Sequence, residues 1–220
     1  MQFSEKTLEI LKNYSLINPS MMFRKGSVLK TVSPLKTVFS SASIAEEIPR
    51  DFAIYDMSKF LASLTLFKEP TLIFEEKYLT IYEGSQKVNF TYADPSMIVT
   101  VDATKGDIRM PSEDISFTLN SNDLQRLLKF LSVLSLPEIS ITGDGSKIYI
   151  KTVNSKDRTS DNFSIEVGET DKEFNIIYKS DNLKFINGDY EITLSMEGLA
   201  RFTTGSVSYY IMCESNSTFA

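Results

Sequence analysis

A strand, a capped helix and a second strand follow one another three times along this chain. That recurrence constrains the fold more than any other feature of the sequence. Residues 52–55 read as a strand. Asp56 then offers an N-cap, Phe60, Leu61 and Leu64 mark the buried face of a helix over 57–67, and 71–74 resumes as strand. Residues 115–119 repeat the pattern. Asn120 or Ser121 caps a helix over 123–134 whose Leu124, Leu127, Leu128 and Leu131 fall at i, i+3, i+4 and i+7, and a strand follows at 138–141. A third copy runs from strand 174–178 through a short helix near Ser180, which includes Leu183 and Lys184, to strand 190–194. With a further helix capped by Ser4 and running to about Leu16, the pattern predicts a duplicated domain with two helices in each half.

The remaining segments are short and β-like. Strands at 78–82 and 87–92 flank the turn Glu83-Gly84-Ser85-Gln86. Gly143-Asp144-Gly145-Ser146 turns into the alternating stretch 147–151. Residues 189–195, 199–203 and 206–214 form a meander. In its last strand Val207, Tyr209, Ile211 and Cys213 share one face, and Ser208, Tyr210 and Met212 share the other. Such short connections require antiparallel pairing, so the expected class is α+β with mainly antiparallel sheets. The expected domains are 1–94 and 115–220, joined by an extended connector over 95–114. The connector holds two prolines, a turn candidate at Lys105-Gly106-Asp107, and an apolar start at 97–101 that either adds a strand or packs on the surface.

Composition removes much chemistry. The 220 residues include no histidine, one cysteine and no tryptophan. Nucleophilic triads that need histidine, His-ligated zinc, disulfides within the chain and Cys-x-x-Cys redox pairs are all excluded. Catalysis would have to use carboxylates, lysine, tyrosine or a magnesium-type metal, so no catalytic or metal-ligating residue and no cofactor is assigned. The N-terminus lacks the basic and apolar regions of a signal peptide, and no apolar run reaches membrane-spanning length. A reducing cytoplasm with no membrane partner is the expectation.

The net charge of −6 argues against bulk attraction to nucleic acid, but its distribution is uneven. The four helical segments carry eight cations against five carboxylates, a balance of +3, which leaves −9 for the rest. At 100° per residue, Asn122, Arg126 and Lys129 lie opposite the leucines of their helix, and Lys59 lies opposite Phe60, Leu61 and Leu64. Lys12 also faces outward, although Glu5 and Glu9 share its side. Lys179 and Lys184 belong to the short fourth segment.

Other signals carry less. Gly143-Asp144-Gly145 lacks the third glycine of a dinucleotide loop, since position 148 is Ile148, and it lacks the later ligands of a calcium loop. Glu46-Glu47 and Glu75-Glu76 point to opposite faces if they lie in strands, and read as solvated edges or turns. Cys213 reads as a small buried hydrophobe on the Val207 face.

Taken in order, Leu11-Lys12-Asn13-Tyr14, Ala53-Ile54-Tyr55-Asp56 leading into Phe60-Leu61, Ala93-Asp94-Pro95-Ser96, Asp123-Leu124-Gln125-Arg126-Leu127-Leu128 and Gly188-Asp189-Tyr190 resemble a known family over essentially the whole length. That family is the DNA polymerase sliding clamps, or processivity factors, of T-even-type bacteriophages, relatives of proliferating cell nuclear antigen. The connector departs from the family pattern in holding fewer prolines. The resemblance implies a duplicated DNA-clamp fold with two helices per domain lining a ring and antiparallel sheets outside. It implies a homotrimer that encircles double-stranded DNA without regard to sequence, in the cytoplasm of the infected bacterial host. Implied partners are the replicative DNA polymerase, an ATP-driven clamp loader and late-transcription factors. On this reading Lys12, Lys59, Arg126, Lys129, Lys179 and Lys184 face DNA. Met97, Ile98, Val99, Tyr210 and Met212 are candidates for an apolar groove that takes partner peptides. The rival expectation is a β-rich structural oligomer of the phage virion.

Overall fold

The structure is a computed structural model that describes residues 1–101, 108–157 and 159–219. The chain divides into two compact units, Met1–Gly106 and Asp107–Ala220. The turn expected at Lys105-Gly106-Asp107 lies outside the described residues.

The first unit opens with α1 (Glu5–Ile17). Ser4 caps it, its side chain accepting from the Thr7 amide. β1 (Met21–Phe23), β2 (Gly26–Val32), β3 (Val38–Ile48) and β4 (Phe52–Ile54) follow. β1 pairs with β4 and β2 pairs with β3, both antiparallel. Asp56 caps α2 (Met57–Thr65) through the Lys59 amide. An antiparallel meander of β5 (Thr71–Phe74), β6 (Tyr78–Glu83) and β7 (Gln86–Thr91) completes the unit. Its hairpin turns at Gly84, whose φ of 57° is left-handed backbone that suits a residue without Cβ. The core centres on aromatic rings. Phe23 stacks on Phe52 at 4.5 Å between ring centroids and meets Phe60 edge-on at 6.3 Å. Tyr14 is buried, and its phenolic oxygen accepts from Ser40 Oγ at 2.9 Å.

The second unit opens on the strand, capped helix and strand order that β4, α2 and β5 form in the first. β8 (Ile115–Leu119) leads to α3 (Ser121–Val133), capped by Asn120 through the Asp123 amide at 2.9 Å. One sheet comprises β9 (Glu138–Asp144), β10 (Lys147–Val153), β11 (Phe163–Glu169), β12 (Glu173–Lys179) and β16 (Thr218–Phe219), in the order β11-β10-β9-β12-β16. β8 heads a second antiparallel series with β13 (Tyr190–Leu194), β14 (Leu199–Thr204) and β15 (Val207–Met212). Leu124, Leu127 and Leu131 are the buried face of α3.

Three expectations change. The fourth helix is only a single 3-10 turn, Ser180–Asn182. No side chain caps it, and Leu183 is the one buried residue nearby, so it lacks the apolar stripe that would hold a longer helix against a sheet. Among the described residues the second unit therefore has one α-helix, not two. Cys213 lies just beyond β15 and is half-buried, because the strand ends at Met212 and the Cys213 amide bonds instead to Gly198 O. Glu46 is not a solvated edge. It is half-buried in β3, and its carboxylate accepts from the Ser4 amide and, at 2.6 Å, from the Thr7 hydroxyl. No helix of the described residues is long and apolar enough to cross a membrane.

Candidate nucleic-acid interface

Each helix buries one face and leaves the other to solvent, and the exposed faces carry the cations. On α1 the buried residues Thr7, Ile10, Leu11, Tyr14 and Ile17 turn Lys12 outward. On α2, Met57, Phe60, Leu61 and Leu64 do the same for Lys59. On α3 the leucines turn Asn122, Arg126 and Lys129 outward. None of Lys12, Lys59, Arg126 and Lys129 has a side-chain hydrogen bond or ion pair among the described residues. Their charge is therefore not neutralised by a partner among the described residues. The carboxylates Asp56 and Asp123 sit at helix starts, where they favour the macrodipole; Asp56 accepts from the Lys59 amide and Asp123 from Asn120 Nδ2 at 2.7 Å.

Lys179 and Lys184 differ from those four. Lys179 ends β12 and is paired with Glu214 at 3.2 Å. Lys184 is half-buried and already engaged. Neither lies on an α-helix, because the segment that was to carry them does not continue past its 3-10 turn.

The apolar candidates also divide. The connector enters through a 3-10 turn, Pro95–Met97, in which Asp94 accepts from the Ser96 amide and thereby has its pKa lowered. Ile98 turns inward and is buried with Met22 and Ala53, while Met97 and Val99 remain exposed. Val99 is held by its carbonyl, which accepts from Asn18 Nδ2 at 3.0 Å; Asn18 also reaches Val32 O at 2.8 Å. Tyr210 and Met212 lie on the outward face of β15 in the second unit, Tyr210 half-buried and Met212 exposed.

A hollow of about 210 Å³ beside the connector was not foreseen. Met22, Val28, Thr100 and Val101 line it with Arg24, Lys25 and Lys30. Arg24 is paired with Asp51 at 2.8 Å. The Lys25 amide and the Arg24 guanidinium hold the Asp51 carboxyl below the usual carboxylate range. The sequence carries little signal for this hollow, because Thr100 and Val101 of the connector lie far along the chain from the β1–β2 segment that forms its other walls.

Two family models match in succession. One, described as DNA polymerase processivity factor, matches residues 4–100, and the other, gp45 sliding clamp, C terminal, matches residues 116–215. The sliding clamp of Vibrio phage KVP40 is 31% identical, over 97% of this chain and 99% of that protein. The chain belongs to the sliding-clamp family. The sliding clamp of Enterobacteria phage T4 is similarly close, at 30% identity over 99% of both chains. The clamp fold extends to distant solved structures. A. fulgidus PCNA, in its complex with the C-terminal region of FEN-1, superposes with a TM-score of 0.69 at 16% identity, over 99% of this chain and 98% of that one. The DNA polymerase III subunit beta of Borrelia burgdorferi gives 0.72 at 12% identity, over 98% of this chain but 64% of that one. At those identities the likeness carries the fold and nothing finer. In this acidic chain the exposed faces of α1, α2 and α3 each carry at least one cation without a partner among the described residues.

Proposed function

We propose that this chain is one subunit of a closed ring of three identical copies that encircles duplex DNA and tethers the replicative DNA polymerase. The observation that carries the reading is the shared outward phase of Lys12, Lys59, Arg126 and Lys129, all exposed and without partners among the described residues, in a member of the sliding-clamp family. A ring that cannot leave sideways needs no tight grip. Weak contacts to phosphate, blind to sequence, hold the duplex centred and let the ring move. The acidic remainder of the surface repels DNA from the outside and favours threading. The tether works by topology and asks no bond-making of the chain. Lys179 and Lys184 are secondary members of the DNA-facing set, since Lys179 is paired with Glu214 and Lys184 is half-buried.

β7 and β11 each stand at the end of a sheet, and we assign them to the head-to-tail contact that closes the ring. The hollow beside the connector, lined by Thr100 and Val101 just after the exposed Met97 and Val99, is the site for short partner peptides from the polymerase, an ATP-driven clamp loader and late-transcription factors. The exposed Met212, with the half-buried Tyr210 beside it on the outward face of β15, is a second apolar candidate for partner peptides. The setting is the cytoplasm of the infected bacterial host.

Two measurements test the reading. Native mass should give three copies of the chain. Loaded protein should stay on a nicked circular duplex and run off once that DNA is cut. Retention on linear DNA with free ends, or an open-ended assembly such as a virion component would form, refutes it.

A further inference from the structure

α1 and α3 are both 13 residues long and bury matching phases. Aligning the buried positions sets Thr7, Ile10 and Tyr14 against Leu124, Leu127 and Leu131. The outward stripe of α1 then reads Glu5, Glu9, Lys12, Leu16, and that of α3 reads Asn122, Arg126, Lys129, Val133. Two positions agree. Lys12 matches Lys129, and the exposed Leu16 matches the exposed Val133. One position is reversed in sign, with Glu9 standing where α3 has Arg126.

Glu9 has no evident structural task. It is exposed, and its side chain has no hydrogen bond or ion pair among the described residues. The first-turn acid that favours the helix dipole is Glu5, and Glu9 lies beyond that turn. It does sit three residues from Lys12 on the same face, roughly 4.5 Å along the axis at 1.5 Å per residue. That separation is inside the Debye length of about 8 Å at physiological salt, so a phosphate that meets Lys12 also feels Glu9.

We infer that Glu9 is a release element. Its free carboxylate on the DNA-facing stripe weakens the hold of α1 on phosphate, so that Lys59 of α2 and the cations of α3 carry most of the grip and the ring keeps sliding. The inference rests on the reading that these stripes face DNA. It adds an acidic residue whose contribution is repulsion.

The test uses the full chain and a short duplex oligonucleotide titrated at stepped salt, with diffusion of the loaded ring along DNA as a second readout. Glu9→Gln should tighten duplex binding about two- to threefold at low salt, an advantage that shrinks as salt rises. Glu9→Arg should add a phosphate contact, steepen the slope of log K against log salt by about 0.9 per engaged helix, and slow diffusion. Arg126→Gln is the control and should flatten the slope by a similar amount. Unchanged melting temperatures in all three variants would tie these effects to the surface. If Arg126→Gln flattens the slope while both Glu9 variants bind and diffuse as the parent does, the release role is refuted and the DNA-facing reading stands. If none of the three alters binding, the DNA-facing reading itself fails, and the release role with it.

Discussion

Replacing Glu46 by alanine should destabilise the first unit by about 2 kcal/mol at neutral pH, and that loss should shrink in acid. Glu46 lies in β3, yet its carboxylate accepts from the amide of Ser4, the N-cap of α1, and from the hydroxyl of Thr7 in the first turn at 2.6 Å. One side chain thus fastens the start of the helix that carries Glu9 and Lys12 to a strand far along the sequence. A hydrogen bond to a charged group contributes about 1.5–3 kcal/mol, and a carboxylate at a helix N-terminus about 0.3–1 kcal/mol. Glu46 is only partly buried, so solvent screening takes back a large share of both, and about 2 kcal/mol remains for the pair of contacts. Burial pushes the Glu46 pKa up, but the Thr7 hydroxyl and the Ser4 amide outweigh it and hold the carboxyl below the ordinary value of 4.5. A group whose folded pKa is depressed stabilises fully above its unfolded pKa and loses that contribution as pH falls through the folded value. The stability gap between the parent chain and Glu46→Ala should therefore be constant near neutrality and narrow as pH drops below 4.5. Urea unfolding followed by far-ultraviolet circular dichroism over a pH series measures it. Hydrogen exchange at the Leu8 amide, which bonds to Ser4 O at 2.9 Å, reports the helix start directly. A gap that is absent at pH 7, or equally wide well below pH 4.5, would show that the ionised carboxylate does not hold the helix.

Neutralising the α3 cations in the double variant Arg126→Gln, Lys129→Gln should leave stability within about 0.5 kcal/mol, because both side chains are exposed and unpartnered among the described residues. The same variant should flatten the salt dependence of duplex binding by about 1.8 per engaged helix, which a salt-stepped titration reads; at 0.15 M salt that is about fivefold in affinity for each lost phosphate contact. Gly143→Ala should destabilise the second unit by about 1–3 kcal/mol through overpacking, measured by thermal unfolding. A Cβ there would stand 2.3 Å from the Phe174 ring and 2.5 Å from the Lys172 carbonyl, and the backbone carbonyl has little room to give.

Periodic features were legible in the sequence. α3 follows from a leucine stripe behind an Asn120 cap, and the β5–β7 meander from alternation broken at Gly84. The exposed cations on α1, α2 and α3 belong to the same class, because a helix that buries one phase must expose the other. β2 and β3 escaped notice for the opposite reason. β3 is rich in serine, and its first half is buried on successive residues, so no alternation marks it. At Ser180 a strand on each side predicts a helix between, but only Leu183 is there to anchor one, and the segment stops at a single 3-10 turn.

Everything that depended on distant residues meeting was hidden. Lys179 looked free until β12 and the chain beyond β15 brought Glu214 to it, and Glu46 looked solvated until β3 met the start of α1. Ile98 looked like its neighbours Met97 and Val99 until Met22 and Ala53 covered it. This division follows from how the two kinds of site are made. A surface that contacts a phosphate backbone needs only charge repeated at helical spacing, and it is already written in local sequence. The hollow beside the connector needs walls from the β1–β2 segment and the connector at once, and only folding assembles it. The same logic explains why Glu9 could be read at all. Its significance lies in a comparison between two periodic stripes, Glu9 with Lys12 against Arg126 with Lys129, and the duplication of the chain supplies the reference helix against which its reversed sign stands out.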